Sequence, residues 1–380
     1  MSLAIGRPKL GKEELREVRE ALGSQWILNG PKVERFENNF KDLIGSKFAA
    51  SAISCTAGMH LALAALDVEG GEVILPAFNF IGAGLSVLQV GARPVFSDVD
   101  PVTYNLDPQG IKKRINGNTK AIMVLHYAGL PVDMDPILEI AAKNCIPVVE
   151  DAAHALGAVY KGRKIGSLGK ATVFSFGPVK AITTGMGGMI TTSDRQLDRR
   201  MRSLRSYGMN RSAWGRRGSK RPWRYRVDEL GHNFRMTEIS AALGLAQLHK
   251  LNDFLTTRRK LATRFSESLS SIPGISIPPE PNGYRHAYLY YVIRVNRRRF
   301  GKSRDALAER LMERGIGISV HWDPPLHLHN IFKKFGYKRS DFETTERLAR
   351  ELLTLPMHPG LTLKDLDFMT ETIRDCGKIR

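Results

Sequence analysis

The chain has 380 residues, 42% of them hydrophobic and 25% charged. At ~150 residues per domain that is length for about two domains, each able to bury a core. The balance excludes disordered and collagen-like sequence, and the longest apolar run, FIGAGLSVLQVGA, falls well short of the ~20 residues of a membrane helix. Lys and Arg number 57 against 38 Asp and Glu, a net charge of +19, which suits either a nucleic-acid partner or anionic small substrates.

MSLAIGRPKLGKEELREV lacks the apolar stretch of a secretory leader. Cys55, Cys145 and Cys376 lie far apart without a CxxC, so a reducing, cytoplasmic setting is expected. Helical periodicity appears in KEELREVREAL and KVERFENNFKDLI, with Gly23 and Gly45 as stops. Strand-like runs follow: EVILP, RPVFSDV, KAIMVLHY, IPVVED, ATVFSF and GGMITT, with helical AGMHLALAALD and PILEIAAKN between some of them. Strand–helix–strand spacing of this kind predicts an α/β fold with a mostly parallel sheet covered by helices, and ligands at the carboxyl ends of its strands.

Residues 199–226 carry eleven Lys or Arg and no acid, with no helix-turn-helix, zinc-finger or RNA-binding signature around them. The segment reads as a solvated basic loop or as a pocket for a phosphate-rich ligand. From about 236 to 272 one long helical register leads to the break PGISIPPEPNG. AYLYYVIRV and IGISVHW then read as strands, and KSRDALAERLMERG, FETTERLARELLTL and TLKDLDFMTETIRD as helices. The expected division is a large domain over 1–250, including the N-terminal helices, and a smaller α+β domain over 251–380, joined by the long helix.

Three segments hold candidate chemistry. In SCTAGMHLALAAL, Thr56 and Ala57 open a helix whose free N–H groups suit a phosphate, although Thr is also an ordinary cap. In IPVVEDAAHALGA an apolar strand ends on Glu150-Asp151; such a carboxylate can hold a proton on a heterocyclic nitrogen or cap a turn, and His154 is a packed ring or a ligand contact. In ATVFSFGPVKAITTGMGGMITT a core strand delivers Ser175 and then Lys180 into a glycine-rich loop. A partly desolvated lysine is a nucleophile able to form a Schiff base. The Walker A spacing is absent and no GxGxxG follows the first strand. In HWDPPLHLH, three histidines stand close together, but no acidic partner pattern makes them a metal site.

An anion site, a carboxylate and a lysine in this order are what pyridoxal phosphate requires. Together with WILNGPKVERFENNF, EVILPAFNFIGAGLSVLQVGARPVFSDVDPVTYNLDP, EDAAHALGA, GHNFRMTEISAALG, PLH and LPMHP, they make the chain resemble the DegT/StrS family of sugar aminotransferases over almost its whole length. The resemblance implies the fold-type-I pyridoxal-phosphate architecture and a homodimer with shared sites. It assigns Lys180 as the Schiff-base lysine and Asp151 as the partner of the pyridinium nitrogen. His154 falls near the phenolic oxygen, Phe80 stacks on the ring, and Thr56, Ala57 and Ser175 contact the phosphate. Asn233 would reach the phosphate in the neighbouring subunit, and Arg235, His321 and His327 would lie toward the substrate. Cys55 stands where Gly is usual, Gly177 where His or Tyr is usual, and Met186 where Glu is common.

The implied activity is ping-pong transfer of an amino group from an amino acid, expected to be L-glutamate, to a nucleotide-linked keto sugar. A nucleotide-free cyclitol or keto sugar is the alternative acceptor. A basic DNA-binding regulator that kept the fold is the alternative from another class, although no membrane and no nucleic acid are expected as partners.

Overall fold

The computed structural model describes residues 3–211, 213–217 and 220–377; positions 212, 218 and 219 of the basic segment lie outside them. Two amphipathic helices come first, α1 (Lys12–Gly23) and α2 (Pro31–Ile44). Pro31 fits the first turn of α2, and Gly45 ends the helix in the left-handed region at φ 84°. Gly23, expected as a stop, is instead the last residue of α1, and Ser24 follows as its cap with Oγ donating to the Ala21 carbonyl at 2.7 Å.

Strands and helices then alternate: β1 (Phe48–Ala52), α3 (Cys55–Ala65), β2 (Glu72–Pro76), α4 (Ile81–Gln89), β3 (Arg93–Ser97), α5 (Pro108–Lys112), β4 (Thr119–Leu125), α6 (Met134–Lys143) and β5 (Val148–Asp151). Short β6 (Val159–Tyr160) and β7 (Arg163–Lys164) precede β8 (Ala171–Ser175) and β9 (Gly188–Thr192). The central sheet runs β1-β9-β8-β5-β4-β2-β3, parallel throughout except for the two pairings that β9 makes. Because side chains alternate across a strand, Ile122 and Val124 face one core with Phe36, Phe40 and Phe174, while Met123 faces the other with Leu61, Leu75 and Ile190. Sequence periodicity missed β1, whose FAASA has no β-branched residue. Its alanines instead let helices pack closely on both faces, Ala49 toward one core and Ala52 toward the other.

Helices α7 (Arg195–Leu204) and α8 (Ala213–Arg216) lead to α9 (Glu238–Leu269), which begins under α2 and ends in the core of the second unit. The chain continues through β10 (Ile275–Ser276), β11 (Tyr284–Arg285), β12 (Tyr291–Val295), α10 (Arg297–Phe300), α11 (Arg304–Glu313), α12 (Asn330–Lys333), α13 (Glu343–Glu351), β13 (Leu352–Leu355) and α14 (Leu363–Gly377), of which α12 packs Phe332 back against Phe96 of the first sheet. An antiparallel sheet β10-β12-β13 packs on Phe265, Leu307 and Ile373, while β11 leaves to pair with β6. Two expectations fail here. IGISVHW is no strand: residues Ile316 and Ser319 make only isolated bridges, to Leu3 and Thr354, the first of them closed by Gly317 N–H donating to the Leu3 carbonyl (2.7 Å). FETTERLARELLTL is not one helix. It turns into β13 at Leu352, where four consecutive buried residues pair with β12, a pattern that no one-sided helix accommodates. Among the described residues no helix is long and apolar enough to cross a membrane.

Candidate active site

β5 and the loop after β8 carry Asp151 and Lys180 to the same end of the sheet. Phe176 N–H closes the loop by donating to the Gly187 carbonyl (2.9 Å), and Thr183 Oγ1 donates to the Phe176 carbonyl (3.2 Å), so the glycine-rich turn is held at its root. Lys180, half-buried, has its ammonium 5.7 Å from the Tyr290 ring centre, and its charge acts on Asp151, Cys55, His154 and His321 alike. The structure therefore brings together Lys180, Asp151, His154 and His321, four residues the sequence singled out.

Asp151 is 3% exposed. Burial pushes its carboxyl pKa above the ordinary value, against the opposing pull of the Ala153 N–H (3.1 Å to Oδ1), Lys180, His126 and the Asn79 amide. Burial also presses His154 well below the usual imidazole range and His321 to about 4, with the Lys180 charge as a further cause for both. Both rings are thus neutral at pH 7. His154 Nδ1 accepts from the Ala128 N–H (3.3 Å), which places any ring proton on Nε2. The Cys55 thiol, at the first position of α3, is held up by burial and by Asp151 and is not a nucleophile at neutral pH.

Helix α3 is capped by Ser54, whose Oγ accepts from the Ala57 N–H (3.0 Å). The helix therefore opens one residue earlier than Thr56, and Ala57's donor is already engaged. Glycines bring backbone against this start. A Cβ at Gly188 would lie 2.6 Å from the Ser54 carbonyl and 2.8 Å from the Cys55 nitrogen, and one at Gly82 would lie 2.7 Å from Thr56 Oγ1. A Cβ at Gly82 would also sit 3.2 Å from Phe80, so the Phe80 ring, 55% exposed, stands beside Thr56 at the mouth. Ser175 ends β8 directly opposite Gly188.

Periodicity gave no sign of the aromatic wall. Trp322 lies nearly parallel to His154 (17°, centroids 6.1 Å apart) and packs on Phe78 and Tyr127, while Tyr290 stands edge-on to His154 at 4.9 Å. Asn79 was also missed. It is buried near Asp151, on whose carboxyl its amide pulls, with no hydrogen bond of ordinary geometry to Nδ2 among the described residues, and its position just beyond β2 was the available signal. His327 is not part of this group. Its ring is wholly buried, with Nε2 3.1 Å from Glu346 Oε1, Nδ1 without a partner among the described residues, and Phe342 packed across it.

Asn233 is exposed, with Oδ1 accepting from Arg235 Nε (2.9 Å), and the Arg235 guanidinium lies over Tyr207 at 5.1 Å. Around them Ile53, Tyr207, Val227 and Leu230 expose large apolar side chains, Leu230 at 89%. The basic segment is partly neutralised: Arg200 pairs with Asp67 and Glu229, Arg202 with Asp198 and Glu37, and Arg205 with Glu37. Arg199 and Arg211 have no ion-pair partner among the described residues, and all five arginines line a cavity of about 640 Å³.

The chain matches the model of the DegT/DnrJ/EryC1/StrS aminotransferase family over residues 8–374. It is 40% identical over 379 residues to the spore coat polysaccharide biosynthesis protein SpsC of Bacillus subtilis, covering 99% of this chain and 97% of that one. It superposes on the aminotransferase TlmJ from Streptoalloteichus hindustanus with a TM-score of 0.90, at 34% identity and over 99% of both chains. On DesI, solved in the presence of its TDP-sugar product, the TM-score is 0.89 at 30% identity, over 99% of this chain and 93% of that one. The chain belongs to the DegT/DnrJ/EryC1/StrS aminotransferase family and has its fold.

Proposed function

We propose that this aminotransferase moves an amino group from L-glutamate to a keto sugar carried on a nucleotide diphosphate, with pyridoxal 5'-phosphate as cofactor. The observation that carries the reading is the convergence of Lys180 and Asp151 at one end of the parallel sheet, beside the glycine-backed start of α3. The residues fit the cofactor. Asn79 Nδ2, whose amide pulls on the Asp151 carboxyl, is a buried donor with no hydrogen bond of ordinary geometry among the described residues, and the missing Cβ atoms of Gly82 and Gly188 let Thr56 and the backbone of Ser54 and Cys55 close up around the start of α3. Lys180 would hold the aldehyde carbon, Asp151 the ring nitrogen, Phe80 the ring face and His154 the phenolic oxygen. Thr56 and Ser175 would take the phosphate, with Ala57 backing the helix start. When bound, the cofactor supplies an electron sink for a carbanion at the substrate carbon.

The chain's own groups do the rest. A buried carboxyl such as Asp151 ionises readily only beside a cation, and a protonated ring nitrogen is one; each then fixes the other's proton state. Lys180 Nζ is the base placed to take the proton from the donor's α-carbon and to return one to the acceptor's carbonyl carbon. Neutral His154 and His321, with Tyr290 and Trp322, form the wall on the Lys180 side.

For the acceptor, the arginine-lined cavity offers bidentate donors to diphosphate oxygens, Arg199 and Arg211 above all. The exposed apolar patch around Asn233 supports a homodimer in which Asn233 reaches the partner's cofactor phosphate. The acceptor is tested by offering glutamate with a panel of nucleotide-linked and nucleotide-free keto sugars and reading product mass. Amination of nucleotide-linked members is expected. Turnover of free ketones alone would replace the acceptor, and no amination of either class would overturn the reading.

A further inference from the structure

His60 lies one turn into α3, and His232 immediately precedes Asn233. Their Nε2 atoms are 2.9 Å apart. His60 is 6% exposed, and its Nδ1 has no partner among the described residues. His232 lies flat on Phe234 (7°, centroids 4.6 Å apart), and His60 stands edge-on to both rings. Two ring nitrogens at this distance hold one proton between them, one ring donating N–H and the other accepting. Burial, and then the facing His232, lowers His60 to about 4, so His60 stays uncharged at neutral pH and the bond persists.

The two ends of this bond are anchored unequally. Helix α3 is fixed independently by its Ser54 cap, by Gly188 and by the buried Met59, Leu61, Ala62 and Leu63. The segment 231–236 is irregular. It joins its neighbours through backbone bonds, His232 N–H to the Leu204 carbonyl (2.6 Å), Tyr207 N–H to the His232 carbonyl (2.9 Å), Ile53 N–H to the Phe234 carbonyl (2.8 Å) and Phe234 N–H to the Arg205 carbonyl (3.0 Å), and through an isolated bridge between Ser206 and Asn233. Loss of the imidazole bond therefore leaves α3 in place and removes the side-chain hydrogen bond that ties the segment to it.

We infer that His60 and His232 are positioning residues that set Asn233 against α3, so that each subunit's pair governs cofactor affinity in the partner's site and not in its own. The inference rests on the shared-site reading of Asn233 given above.

The test is chain-specific. His60→Phe keeps the ring and removes its nitrogens; in the homodimer it should weaken cofactor binding by about five- to tenfold, the effect of one lost hydrogen bond. His60→Gln, which keeps a polar atom near the Nε2 position, should restore most of that loss. His60→Phe chains are then paired with Lys180→Ala chains through two affinity tags, cofactor is titrated in, and borohydride fixes it to the remaining Lys180. Intact mass of the His60→Phe chain reads its occupancy, because the Lys180→Ala chain cannot be labelled there. The expected result is a wild-type occupancy curve, since the partner's histidine pair is whole. A curve as weak as in the His60→Phe homodimer would place the effect within the same chain and overturn the inference, as would a homodimer that binds normally. His232→Phe carries the same expectations should His60→Phe fail to fold. A parallel pairing of Asn233→Arg with Lys180→Ala separates the two ideas: recovery there without recovery for His60→Phe removes only the histidine inference, whereas no recovery there removes the shared site itself.

Discussion

Replacing Glu37 by Gln isolates the buried ion cluster that locks α2, β1 and α7 together beside the arginine-lined cavity. Glu37 is 5% exposed, and burial alone pushes its carboxyl up. The Arg205 and Arg202 guanidiniums, each at 2.6 Å, and the Ser51 N–H at 2.8 Å outweigh that and bring it from 4.5 to about 2. A carboxyl depressed in the fold stabilises above its unfolded value, and the contribution is lost as pH falls from 4.5 toward 2. The difference of about 2.5 units at ~1.36 kcal/mol each amounts to about 3 kcal/mol at pH 7, shrinking to about 1 kcal/mol near pH 3. Gln keeps the shape and a bond to Ser51 but no charge, so it mimics the protonated form. Urea unfolding of wild type and Glu37→Gln should therefore show a gap of about 3 kcal/mol at pH 7 that closes toward pH 3. A gap that stays constant across that range would mean that the cluster's ionisation contributes nothing, and the reasoning would fail.

Lys180→Ala should abolish amino transfer and the long-wavelength absorbance of lysine-bound cofactor; retained turnover would move the base elsewhere. Asp151→Asn should fold normally, checked by its thermal transition, yet lose about two or more orders of magnitude in kcat, because the ring nitrogen then has no anionic partner. An unchanged rate would reassign that role. In Gly188→Ala the new Cβ meets backbone at 2.6–2.8 Å, so the start of α3 must shift; equilibrium dialysis should show cofactor affinity reduced by tenfold or more, whereas wild-type affinity would detach that helix start from the phosphate. Asn233→Arg and Lys180→Ala, each inactive alone, should together recover about a quarter of wild-type activity by random pairing of subunits. Free exchange without recovery would return Asn233 to its own chain's site.

Much of the fold and of the site is legible in the amino-acid sequence. The strand runs ending on Asp151 and Ser175 are continuous apolar stretches, the mark of buried parallel strands, and the loop chemistry around Lys180 is local to its own sequence. Other features depend on partners distant in sequence. β1 is a strand because β9 pairs with it, not because FAASA prefers to be one. β13 is cut out of a helical pattern by its pairing with β12. Trp322 and Tyr290 reach His154 from the second unit, more than 130 residues away along the chain, so no periodicity could announce the wall. The contact of His327 with Glu346 was not legible either, because a histidine beside a loop proline gives no hint of the glutamate nineteen residues on that meets it.

The central claim is that Lys180 is the residue on which the cofactor chemistry is built. Enzyme loaded with pyridoxal 5'-phosphate, reduced with borohydride and digested should carry the cofactor's mass on the peptide containing Lys180 alone, and prior addition of L-glutamate should remove that label. A label on any other lysine, or one on Lys180 that glutamate leaves untouched, would contradict the account.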